Sequence, residues 1–147
     1  MAKWLMGIAL LVCTSVSVAA DKPFEVFGKY KVYFSVFNSS FITPAIAQTY
    51  NITRGKDRAI INIAVVETSS SGDTHGLPAV VKGEVANLMQ QQRTLKFTEI
   101  REQDAVYYIA STRFSNEEVL NFDISVKPDP NKKPLSLRFT KTLYVDK

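Results

Sequence analysis

Hydrophobic and polar residues alternate along most of the chain with a period of two. That spacing places one face of a β-strand in a core and the other in water. The clearest case is 119–127, where Leu120, Phe122, Ile124 and Val126 share one face while Asn121, Asp123 and Ser125 share the other. Residues 135–145 repeat the pattern through Leu135, Leu137, Phe139, Leu143 and Val145. Between the two runs lies PDPNKKP, whose three prolines suit a hairpin loop. Upstream, 30–37 carries aromatics on both faces (Tyr30 and Phe34; Tyr33 and Phe37), which predicts a central strand. Residues 59–67 bring Ile61, Ile63 and Val65 to one face. The alternation in 79–88 is weaker, and Gly83 predicts a bulge. Residues 94–102 and 105–114 are separated by Gln103 and Asp104, a two-residue hairpin spacing. Leu95 and Phe97 differ in parity from Ile100, which predicts a second bulge near Thr98.

One stretch reads as helical: Thr43 can cap, Pro44 suits the first helical position, and AIAQTY follows for one or two turns. The run 68–78 is small and polar and reads as a loop. Seven strands with short connections and one short helix predict an all-β fold, a two-layer immunoglobulin-like antiparallel β-sandwich, with a closed barrel as the alternative.

The first twenty residues follow a different logic. Lys3 supplies a positive start, Leu5 to Val12 an apolar run, and Val18, Ala19 and Ala20 a small-residue exit. The run is shorter than the ~20 residues that cross a bilayer. Residues 1–20 are therefore expected to be a cleavable signal peptide and 21–147 a single domain. Removing 1–20 takes away Lys3 and the only cysteine, Cys13, so the net charge falls from +4 to +3. A cysteine-free exported domain fits the bacterial periplasm. No later apolar stretch is long enough for stable membrane insertion. Scattered basic residues give no concentrated face for nucleic acid.

Catalytic and metal chemistry find little support. After residue 20 the chain has one histidine, His75, and one methionine, Met89. A nucleophilic set would need His75 as a firmly held base, yet it sits in the Gly/Ser-rich loop. Transition metals want several soft or borderline donors. No catalytic residue, metal site or cofactor is expected. The remaining enzymatic alternative is a carboxylate-dependent hydrolase using Glu99 or Glu102.

Two stretches are denser in recognition chemistry. In 36–54 a strand runs into Asn38, Ser39 and Ser40, then a capped turn, then Tyr50 and Arg54. This predicts either a hydrogen-bonded corner or a polar pocket floor with Arg54 facing an anion. In 97–110, Glu99 and Arg101 stand across a hairpin from Tyr107 and Tyr108. This predicts either cross-strand packing or a ligand groove.

The same residues carry a resemblance. VFNSSF at 36–41, then Pro44, Tyr50 and Arg54, with Glu99, Arg101, Glu102, Tyr107 and Tyr108 later, resemble a family of small proteobacterial periplasmic proteins known as domain of unknown function 4426. The resemblance implies a signal peptide and a periplasmic β-sandwich, and assigns no activity. The expectation is a non-catalytic binding module for an envelope protein or small ligand. Its alternative is a structural or chaperone-like accessory that offers a sheet edge to another chain.

Overall fold

The alternating runs become nine strands in two antiparallel sheets. The computed structural model describes residues 23–68 and 75–147. The signal peptide expected at 1–20 and residues 69–74 of the loop expected at 68–78 lie outside the described residues. The strands are β1 (Phe24–Phe27), β2 (Tyr30–Asn38), β3 (Arg58–Glu67), β4 (Val80–Asn87), β5 (Gln92–Leu95), β6 (Thr98–Glu102), β7 (Ala105–Arg113), β8 (Glu118–Lys127) and β9 (Leu135–Leu143). One sheet has the order β1-β2-β3-β7-β6 and the other β5-β4-β8-β9. The architecture is the expected sandwich, and no barrel closes.

The core lies between the two inner faces. Ile61, Ile63 and Val65 of β3 meet Leu120, Phe122, Ile124 and Val126 of β8, all buried. Phe139 of β9 stacks between Phe34 of β2 at 4.5 Å and Phe122 at 4.8 Å, which joins the sheets along one side. As the alternation implied, β2 is central, paired with β1 and β3. Thr43 caps α1 (Pro44–Thr49), its hydroxyl accepting the Ile46 amide at 3.4 Å.

Three expectations are corrected. The described residues form nine strands where seven were expected, because β1 precedes the first alternating run and 94–102 divides. The parity break near Thr98 is no bulge. There the chain leaves one sheet at Leu95 and enters the other at Thr98. Leu95 and Ile100 need not share parity, since they belong to different sheets. Gly83 is also no bulge, because β4 pairs without interruption with both neighbours. Its missing side chain makes room for the crossing. A Cβ there would lie 3.1 Å from Ile124 and 3.2 Å from the Phe97 ring.

Gly76 is tighter still. Its amide donates to the Asp104 carbonyl at 3.0 Å, and Leu77 donates to the Val65 carbonyl at 2.8 Å. A Cβ on Gly76 would lie 2.6 Å from the Val106 backbone nitrogen. Backbone cannot give way as a side-chain tip can. Gly76→Ala should therefore cost about 1–3 kcal/mol in urea unfolding, and Gly83→Ala less. Equal stability of Gly76→Ala and wild type would contradict this packing.

Candidate functional site

The inner face of the five-stranded sheet is spent on the core, so its outer face is where chemistry can be presented. Toward the middle of β2 and β3 the outward residues are polar, small or aromatic, while Ile60 on the same face is buried. Ser35 pairs with Asn62 and Tyr33 with Ala64. Asn62 also pairs with Ile109. The β3–β7 ladder ends at Ile63–Tyr108, and Ala64 and Tyr107 follow just beyond it. The β6–β7 turn adds Glu102, Gln103 and Asp104 at one end, with Gln103 turning through φ 52°. Together these residues line a groove of about 560 Å³.

Two polar features mark this groove. Asn62 lines it, and its Oδ1 is buried with no hydrogen-bond partner among the described residues. Such an acceptor costs about 1–3 kcal/mol unless something donates to it. Glu102 accepts a hydrogen bond from the Tyr50 hydroxyl, which ties the segment after α1 to the groove rim. That bond, helped by partial burial and the nearby charge, raises the Tyr50 phenol above its ordinary value.

The residues singled out in the sequence fall into three places. Asn38, Ser39, Ser40 and Arg54 form a corner at one end of the sandwich. Ser39 is fully buried, and its hydroxyl bonds both the Gly55 carbonyl at 3.0 Å and the Gly55 amide at 2.9 Å. Asn38 donates to the Tyr144 carbonyl and to Asp146, each at 2.8 Å. Ser40 donates to the other Asp146 oxygen. Arg54 donates to the Ser40 carbonyl at 3.2 Å. The corner clamps the chain near residue 146 to the end of β2.

Glu99, Arg101 and Tyr108 form a second cluster. Tyr108 is buried on the inner face, donating to Glu99 at 2.9 Å and accepting the Ala79 amide at 2.8 Å. Burial pushes its phenol up. Hydrogen bonds from Arg101 and then Tyr108 hold the Glu99 carboxyl below its usual range.

Tyr107 and Tyr50 are the third place. Tyr107 lines the groove and Tyr50 fixes its rim. Adjacent residues of a strand face opposite ways, so Tyr107 and Tyr108 part company. Tyr33, Asn62 and Ala64 were not among the expected site residues. Their one readable signal is Asn62, a poor strand former inside the apolar run 59–67.

The clamp has a pH signature. Hydrogen bonds from Ser40 and Asn38 lower the Asp146 carboxyl below its ordinary value. A lowered folded value stabilises the fold above the unfolded aspartate pKa of about 3.9. That contribution fades as pH falls from there through the folded value. Asp146→Ala should therefore unfold at lower urea than wild type at pH 7, with the gap narrowing at pH 3. A gap that is absent at pH 7, or that widens in acid, would contradict the clamp.

Known proteins place the chain. The family described as "Domain of unknown function (DUF4426)" matches residues 24–146. The crystal structure of a DUF4426 family protein from Pseudomonas aeruginosa is similar, with a TM-score of 0.73 at 28% identity, covering 84% of this chain and 95% of that one. FetP of uropathogenic Escherichia coli strain F11, isolated after expression in the periplasm, shares the fold at TM-score 0.60 and 10% identity, covering 84% of this chain and 94% of FetP. A copper-bound FetP variant gives TM-score 0.61 and 9% identity, covering 83% and 94%. No curated protein matches the chain. The chain belongs to the DUF4426 family.

Proposed function

We propose that this protein is a binding module of the bacterial periplasm, exported by residues 1–20, and that it holds a small ligand in the groove on the outer face of β3. The observation that carries this reading is Asn62. Its buried Oδ1 lacks a donor among the described residues, and the residue lines a cavity of about 560 Å³. That volume falls in the range of small-molecule sites, which combine apolar walls with a few placed polar groups. Ala64, Val66 and the tyrosine rings supply the walls here.

The copper held by the FetP variant does not carry over. Copper favours imidazole, thioether and thiolate donors. Beyond residue 20 this chain has only His75 and Met89 to offer. They flank the eight-residue strand β4 at opposite ends. Two such donors are fewer than a copper site takes. Nor does Glu99 suit a general acid, because its carboxyl is held down rather than raised.

Purification of 21–147 from the periplasm, with native and denaturing mass spectrometry side by side, tests the groove. Wild type should carry a non-covalent adduct that Ala64→Leu lacks, because leucine fills the floor. An adduct retained by Ala64→Leu would put binding elsewhere. A wild-type protein that carries nothing and takes up no small molecule would contradict the reading.

A sheet-edge accessory role is favoured by one observation: β9 is a nine-residue outer strand with one side unpaired among the described residues. A photocrosslinker at Thr140 should then capture one discrete envelope protein in cells. Absence of any discrete product would end that reading.

A further inference from the structure

The groove is more selective than its volume suggests. Tyr33 pairs with Ala64 across β2 and β3, Tyr107 follows the last β3–β7 pair, Ile63–Tyr108, and all three line the groove, two aromatic side chains and a methyl group. Paired strands lie ~4.8 Å apart, so Tyr33 stands about that far from Ala64; Tyr107, past the end of the β3–β7 ladder where Gly76 and Leu77 bond beside β3, stands at least as far on the other side. Aromatic pairs sit at centroid separations of ~4.5–7 Å. A gap of roughly 10 Å or more therefore has room for one flat ring between the tyrosines. The Tyr33 wall is braced from outside. The Phe24 ring lies 5.5 Å from it and the Lys31 ammonium 5.9 Å. Lys31 is closer to Phe24, at 4.5 Å, and is not part of the groove lining.

The two ends of this slot differ chemically. Two residues along β3 in one direction is Asn62, whose buried acceptor lacks a donor among the described residues. In the other direction, past Val66, stand Glu102 and Asp104 on the β6–β7 turn. Tyr50 already orients Glu102. Among the described residues the groove lining contains two carboxylates and no lysine, arginine or histidine. A ligand that matches all three parts has a hydroxyl or N–H at one end, a flat ring in the middle and a cation at the other end.

Resting on the reading of this groove as a ligand site, we propose that it takes a planar aromatic amine. The ring lies over Ala64 between Tyr33 and Tyr107, a polar hydrogen is donated to Asn62, and the ammonium faces Glu102 and Asp104.

Three probes of one shape test this by titration of 21–147, followed through backbone amide resonances. Tyramine has the donor, ring and cation. Phenethylamine lacks the donor. 4-Hydroxyphenylpropanoate replaces the cation with an anion. Tyramine should shift the resonances of Ala64 and Tyr107 and bind about tenfold tighter than phenethylamine. The anion should be weaker still. Asn62→Leu should bring tyramine and phenethylamine to the same affinity, and Ala64→Leu should weaken both.

Equal binding of all three probes, or tightest binding of the anion, would overturn the amine class. If Ala64→Leu still weakened those probes, the groove would remain the ligand site. No shift with any probe at millimolar concentration would also overturn the class, even where a native adduct is lost in Ala64→Leu. An unchanged tyramine preference in Asn62→Leu would remove Asn62 from recognition.

Discussion

The pleat of β3 sets most of what this molecule can do. Ile61, Ile63 and Val65 are wholly removed from water against the opposite sheet. Burying each such side chain is worth about 1.5–3 kcal/mol. A slip of one residue would turn all of them outward, so the register is firmly held. The same register obliges Asn62 and Ala64 to face outward, Asn62 between Ser35 and Ile109 and Ala64 beside Tyr33. Apolar burial on one face thus fixes the arrangement of the groove on the other, with no further device needed.

The rim depends on a second constraint. After Leu95 the chain leaves the sheet of β4 and β8 and joins the sheet of β3 and β7. Gly83 gives the Phe97 ring its space at that crossing. The crossing delivers the β6–β7 hairpin to the edge of the groove, and with it Glu102 and Asp104. Gly76 then closes against the Asp104 carbonyl and the Val106 backbone. Distant parts of the chain, at residues 50, 76 and 102–104, meet there.

Much of the sandwich was legible because its strands are half-buried. In 119–127 every second residue is apolar, and those residues are the buried ones. The turn at Gln103 and Asp104 and the capped helix after Thr43 were legible for local reasons, since their chemistry lies within a few residues. The strand crossing was not, because one broken parity fits both a bulge and a change of sheet. The candidate residues divide along the same line. Asn38 and Ser40 are obviously polar, but their partner Asp146 is more than a hundred residues away. Tyr107 and Tyr108 read as a pair, yet the pleat sends one to the groove and the other to the core. Ala64 has no conspicuous chemistry, and only its register with Tyr33 of β2 and its place in the groove lining make it a floor.

The central claim is that the outer face of β3 is a preformed site, left open by the burial of its inner face. A high-resolution crystal structure of 21–147 purified from the periplasm tests it most directly. The account predicts density over Ala64, between the rings of Tyr33 and Tyr107, from a molecule or ordered water that donates to Asn62 Oδ1. Collapse of the two tyrosines onto each other, or an Asn62 amide satisfied by the protein's own chain, would contradict it.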